Sequence, residues 1–337
     1  MTRSHVNTEI GLRSYRDEDE IEVLQLLSAS LGPGPGGERS REFFAWKHLD
    51  NPFGPSFMLV AESAGRIVGL RTFMRWGFSL DGRSVRGVRA VDTATHPEFQ
   101  GRGIFSLLTR TALDSLKDEA DIVFNTPNDK SRPGYLKMGW SVAGKLPVAI
   151  KLCHPIRVVR SARSLRSGEP ATAKPTVDAV TAAEALEDDG TVLELLRGTQ
   201  RPARRLVTAH TISTLRWRYA NAPLLDYRAV AEPGGVAIFR VRPRGPLWEA
   251  AVSDVLTVDG GARTVARLLK RVAGSADVDH LTCMMAAGSP GLKAARRRGF
   301  IRSPISMELT VRSLNDLEID PMKLDSWALT LGDVEVF

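Results

Sequence analysis

Residues 88–116 constrain the fold of this chain more than any other stretch. Val88 to Thr95 is a β-prone run, and Pro97 ends it because proline lacks the N–H that a strand ladder needs. Gln100-Gly101-Arg102-Gly103 then turns the chain, and Ile104, Leu107, Leu108, Ala112 and Leu116 recur at helical spacing. A strand that passes through a glycine turn directly into a helix leaves the helix's first backbone N–H groups unpaired, at the positive end of its dipole. Gly101 and Gly103 have no Cβ, so an anion can approach that backbone closely. The stretch reads as a pyrophosphate cradle or as a plain strand-to-helix turn, and the glycines alone do not separate the two.

The residues exclude two phosphate-binding patterns. A P-loop needs a Lys-Ser or Lys-Thr pair after its second glycine, and none is present. A dinucleotide fingerprint needs a third glycine, and none follows Gly101 and Gly103 before Leu107. Further along, Asp121 to Asn125 reads as a short buried strand bounded by Lys117-Asp118-Glu119 and Thr126-Pro127. Asn128 follows, then Tyr135, then Gly139-Trp140, with Pro133 near the first turn of the helix that bears the tyrosine.

Gln100-Gly101-Arg102-Gly103-Ile104-Phe105 resembles the acyl-CoA loop of the GNAT (Gcn5-related) N-acetyltransferases: Gln or Arg, two residues, Gly, one residue, then Gly or Ala. Phe105 is the departure, since a small residue is usual there. Asn128, Tyr135 and Gly139-Trp140 resemble the family's second motif in order and spacing. The resemblance implies an acetyl-CoA (acyl-CoA) site, with the pyrophosphate on the backbone of Gly101 through Phe105. It implies a pantetheine arm along Thr93, Ala94 and Thr95, with Asn128 in contact with that arm. Tyr135 becomes the candidate general acid for the coenzyme A sulfur, its alternative being a packing tyrosine. Asp92 is the candidate base for the amine; His96 and Glu98 are read as loop residues without a catalytic role. Some tandem acyltransferases of this superfamily place a C-terminal carboxylate in the active site, which would be Phe337 here. The alternative is that Trp327 and Phe337 cover an apolar surface.

The rest of the first half fits one such unit. Ile10 to Arg16 is an alternating strand, Asp17-Glu-Asp-Glu an acidic helix start, and Ile21, Val23, Leu24, Leu26 and Leu27 an apolar stripe. Two hairpins are expected, one around Ser63-Ala-Gly65 and one around Asp81-Gly82. At 337 residues the chain exceeds one domain of this kind. From Cys153 the composition shifts: Arg157, Arg160, Arg163 and Arg166 alternate with Ser and Ala before two Pro-containing triplets. This reads as a connector, either a solvated linker or an anion contact.

Beyond the connector lies an internal repeat. Trp46-Lys-His-Leu-Asp-Asn51-Pro52 is echoed by Trp217-Arg-Tyr-Ala-Asn221-Ala-Pro223, and Gly139-Trp140 by Gly299-Phe300. Each half then has a closing strand, Val148 to Leu152 and Ser306 to Val311. In the second half Gly260-Gly261 lacks the loop pattern and Ala295 stands where the tyrosine would be. The reading is an acyl-CoA-binding N-acetyltransferase domain over 1–152, a basic, Pro-containing linker over 153–177, and a degenerate acetyltransferase-like domain over 178–337 with a docked C-terminal segment. The fold class is α/β (α+β): two tandem acetyltransferase-like folds, each a mixed, mostly antiparallel sheet flanked by helices.

Composition narrows the partners. Hydrophobic residues make up 43% of the chain and charged residues 25%, enough apolar content for two cores. Two cysteines, Cys153 and Cys283, stand far apart, so neither a disulfide framework nor a metal site is expected. No apolar run reaches membrane-spanning length, and a cytoplasmic monomer or homodimer is the expectation. The net charge of +7 comes without an aromatic-interleaved RNA motif, so no nucleic acid is expected. Arg71, Arg75, Arg86, Arg89 and Arg102 read as mostly exposed arginines that help steer an anionic cofactor. Three functions follow: acetyl transfer to the primary amine of a small molecule (amino sugar or amino-acid-like metabolite), tRNA-dependent aminoacyl transfer, or non-catalytic acyl-CoA binding.

Overall fold

The computed structural model describes residues 9–34, 39–163, 173–199 and 202–334. Its strands are β1 (Gly11–Ser14), β2 (Phe57–Ser63), β3 (Arg66–Leu80), β4 (Arg83–Thr95), β5 (Ile122–Asn125), β6 (Ser141–Lys145), β7 (Val148–Leu152), β8 (Val180–Thr181), β9 (Val207–Thr208), β10 (Tyr227–Glu232), β11 (Gly235–Arg244), β12 (Leu247–Thr257), β13 (His280–Met284), β14 (Ile301–Arg302) and β15 (Glu308–Ser313). The helices are α1 (Glu20–Leu31), α2 (Arg41–His48), α3 (Ile104–Leu116), α4 (Arg132–Lys137), α5 (Pro155–Arg163), α6 (Ala182–Ala185), α7 (Asp189–Gly198), α8 (Ile212–Leu215), α9 (Ala262–Gly274), α10 (Pro290–Arg297) and α11 (Leu331–Val334). The two expected hairpins share one long central strand, β3, which pairs β2 on one side and β4 on the other.

The strands form two mixed sheets. One runs β1-β2-β3-β4-β5-β15-β6 with β9 beside β3, and the other runs β14-β7-β13-β12-β11-β10-β8. Among the described pairs only β4 with β5 and β12 with β13 are parallel; the others are antiparallel. The closing strands are exchanged. β7, at the end of the first half, pairs β13 and β14 of the second sheet, while β15 lies between β5 and β6 of the first. Leu309 and Val311 of β15 are fully buried, so this strand carries part of the first sheet's core.

The exchange places the two sheets over a shared apolar cluster that includes Trp46, Phe78 and Phe124 from one half and Trp217, Leu256 and Trp327 from the other. The repeated tryptophans meet at its centre. Trp46 and Trp217 stack with ring centroids 5.2 Å apart. Each Nε1–H donates to the other's backbone carbonyl at 2.7 Å, a reciprocal contact of the kind that a pseudo-two-fold axis produces. The connector is not all loop, because Pro155–Arg163 is helical and Arg157 donates to Asp277. Arg166, with the rest of residues 164–172, lies outside the described residues.

Candidate active site

The glycine turn of the first half has the geometry of an anion cradle. Gly101 and Gly103 take positive φ values of 77° and 78°, and a Cβ built on either meets nothing within 4 Å. The backbone there is open, and only glycine adopts that conformation without strain. The first helical bond of α3 runs from Leu107 N–H to the Gly103 carbonyl at 3.0 Å, so Ile104, Phe105 and Ser106 have no acceptor within the helix. Ile104 anchors the turn in the core, while Arg102 is exposed and packs over Phe99. The Gln100 side chain donates to the Thr95 carbonyl, which also accepts from Ser30, and so ties the turn to the end of β4.

Beside this turn β4 parts from β5. The two pair only over Gly87–Arg89, yet β4 continues to Thr95, which leaves its edge unpaired on that side. Within the same stretch the β3–β4 register shifts between Leu70 and Thr72, and Asp92 takes a positive φ of 40°. The bulge turns Thr93 toward the face covered by α3 and α4. Asp92 and Ala94 turn toward the face covered by α1 and α2.

Tyr135 stands on the α3–α4 face. It is buried, and its hydroxyl accepts a 2.8 Å hydrogen bond from Nη1 of Arg71. The ring of Phe105, the departure from the usual loop, turns away from the cradle onto α4. It meets Tyr135 edge-on at 5.5 Å and lies so close to Gly134 that a Cβ there would stand 2.9 Å from the ring. Phe105 and Gly134 therefore fit as a pair. The exposed Asn128 accepts from the N–H groups of Lys130 and Ser131 through Oδ1 and shapes the approach to α4. Its Nδ2 has no partner among the described residues.

Asp92 is not a free carboxylate. Lys47 Nζ lies 2.6 Å from it, His48 Nε2 2.9 Å and Arg39 3.9 Å. Burial alone would raise the Asp92 carboxyl, but the charge of Lys47 and the bond from His48 outweigh it and hold the group below the usual carboxylate range. Burial pushes both Lys47 and His48 down, so the His48 ring is neutral at pH 7. An ionised Asp92 accepts from Nε2–H, which leaves Nδ1 to accept from Ser56 at 3.0 Å. A carboxylate held this way has low proton affinity, which weighs against its taking a proton directly from an amine.

Sequence reading missed the residues that surround both groups. Arg71 and Arg89 are buried, not exposed. Arg71 follows Gly69 and precedes Phe73 on one inward face of β3, and a charge between apolar alternates was the available signal. Arg89 donates to the carbonyls of Asp333 and Val334 and so fastens α11 beside the point where β4 leaves β5. Arg218 donates to the neighbouring Gly332 carbonyl at 3.1 Å. Phe337 lies outside the described residues.

The second half repeats the splay without the cradle. β12 pairs β13 only over Glu249–Val252 and runs on to Thr257, beside a cavity of about 520 Å³. At the start of α9, however, the Asp259 carboxylate accepts from Gly261 N–H at 2.8 Å, which sets a negative charge where a phosphate would sit. Asp254, on the strand corresponding to β4, accepts from the Tyr219 hydroxyl, two residues after Trp217, just as Asp92 meets His48, two residues after Trp46.

Residues 11–143 match the family model of the acetyltransferase (GNAT) domain. This part of the chain is a GNAT acetyltransferase domain. It makes the chain an acyltransferase. Solved structures share the fold of nearly the whole chain. A probable N-acyltransferase from Enterococcus faecalis is 14% identical, with a TM-score of 0.62 over 91% of this chain and 73% of that one. A GCN5-related N-acetyltransferase from Anabaena variabilis is 13% identical, with a TM-score of 0.62 over 91% and 73%. Another from Kribbella flavida is 18% identical, with a TM-score of 0.61 over 91% and 72%. No curated protein matches the sequence. No helix among the described residues is long and apolar enough to cross a membrane.

Proposed function

We propose that the chain transfers the acetyl group of acetyl-CoA to the primary amine of a small molecule, an amino sugar or an amino-acid-like metabolite. The observation that carries this reading is the meeting of the free β4 edge with the open N-terminus of α3. Backbone N–H groups from Gly101 to Ser106 would hold the pyrophosphate, and Thr93 with Ala94 would pair the pantetheine arm, within reach of the Asn128 amide. Acetyl-CoA supplies an activated acyl group on a thioester. Tyr135 gives a proton to the departing sulfur. Asp92 enters as the group that fastens α2 to the β4 bulge, and the amine proton leaves to water.

The test is thiol release from acetyl-CoA with a panel of amino sugars, amino acids and polyamines, beside calorimetric titration with coenzyme A. Turnover with at least one amine is expected, and Tyr135→Phe should lower kcat on the order of 10²-fold. No turnover with any amine, together with no coenzyme A binding, would overturn the reading.

A further inference from the structure

The side chain of Arg71 is 0% exposed, yet no carboxylate pairs with it among the described residues. Its Nη1 donates to two hydroxyls, Tyr135 Oη and Thr93 Oγ1. Its Nε and Nη2, the edge that usually grips a carboxylate, are buried without a partner. Three rings surround the guanidinium: Phe73 at 4.1 Å, Tyr135 at 5.3 Å and Phe105 at 5.8 Å from its carbon. Ring faces ease the desolvation of a cation but do not neutralise it. A buried positive charge left uncompensated in this way complements negative charge that appears only during a reaction.

We infer that Arg71 is the positioning residue for Tyr135: it aims the phenol proton and stabilises the negative charge left when that proton goes to the sulfur. The inference rests on the reading of Tyr135 as proton donor. Because Oη accepts from Arg71, its own O–H must point elsewhere. When the carbon–sulfur bond breaks, the electron pair goes to sulfur and Tyr135 protonates it, leaving a phenolate 2.8 Å from the Arg71 Nη1. Water returns a proton to the phenolate, and the amine's proton goes to water, so charge and protons balance. Phe105 follows from the same arrangement: a small residue at that position would leave one wall of the ring box open.

Arg71→Met, Arg71→Lys, Tyr135→Phe and the double variants with Tyr135→Phe test this. Arg71→Met should lower kcat on the order of 10²-fold, with KM for acetyl-CoA within about threefold of wild type. In the Tyr135→Phe background the same substitution should lower kcat by less than about threefold, because the residue it acts through is gone. The second readout needs no turnover. Wild type should bind coenzyme A more tightly than desulfo-coenzyme A, and Arg71→Met should erase most of that preference.

Losses that multiply in the double variant, or an unchanged preference between the two ligands, would overturn the inference. If Arg71→Met does not fold, Arg71→Lys decides on the same two measurements, since it keeps the charge and gives up the shared donor. Wild-type kcat in Tyr135→Phe is a different failure. It removes the proton-donor reading itself.

Discussion

Cutting the chain after Leu152 should destroy the first half rather than release it. The fragment 1–152 contains the whole matched domain, residues 11–143, but not β15. Leu309 and Val311 of that strand are fully buried, and Trp327, Leu329, Leu331 and Val334 of the following segment are nearly so. Trp327 alone packs on Phe78 at 5.3 Å and Phe124 at 5.9 Å. Burying each such side chain is worth about 1.5–3 kcal/mol, so these six together amount to roughly 9–18 kcal/mol as an upper estimate. A domain is stable by about 5–15 kcal/mol in total, so the loss consumes it. The fragment would also carry β7 without β13 and expose the facing edges of β5 and β6. Circular-dichroism melts and coenzyme A calorimetry on the fragment and the full chain measure this. The expected fragment shows no cooperative transition and no binding. A fragment that melts cooperatively and binds coenzyme A as the full chain does would refute the reasoning.

Asp92→Asn should act on stability first: it removes the carboxylate that lies 2.6 Å from the buried Lys47 Nζ, a loss of up to about 3–5 kcal/mol that a melting curve reads. An unchanged melting temperature with a 100-fold fall in kcat, roughly the size of a lost general base, would restore the proton-acceptor role. His48 is depressed by burial, so below the unfolded value of about 6.5 the unfolded chain binds a proton that the folded chain refuses. Stability therefore falls as pH drops from 7 toward 5, by up to about 1.4 kcal/mol per unit, and His48→Gln should flatten that fall in melts at three pH values. Gly332→Ala should dislodge α11, because a Cβ there overlaps the Tyr219 hydroxyl and crowds Asp254. Proteolysis of the C-terminal segment, faster than in wild type, is the expected readout.

What the sequence made legible was local. The Gly101–Gly103 turn, the helix behind it and the Tyr135 spacing each depend on neighbours within a few residues, and all three stand where the spacing puts them. The tryptophan repeat was legible too, because it is written twice in one chain. The partner of each closing strand was not. Val148–Leu152 and Glu308–Ser313 have the same pattern whichever sheet receives them, since alternation specifies a buried face and not a neighbour. The arginines failed for a related reason. Burial of Arg71 and Arg89 depends on contacts up to 245 positions away, whereas composition counts them as ordinary surface charge.

The exchange gives the second half a part in the proposed site of the first. β4 and β5 diverge after the Arg89–Phe124 pair, and a short strand that loses one neighbour needs support from the other. β15 supplies it at the next residue. Thr310 pairs Asn125 and donates to its side chain at 2.6 Å, so β5 stays in place as β4 leaves it. The opening along the β4 edge is thus held by a strand from the second half on one side and by the Arg89 clamp on α11 at its base. β7 likewise pairs β13 through the point where β13 leaves β12, but there Asp259 already sits on the helix N-terminus. Symmetry of architecture with asymmetry of charge leaves, among the described residues, the N-terminus of α3 open and that of α9 occupied by a carboxylate, so the proposed phosphate site belongs to the first half while resting on contacts from both.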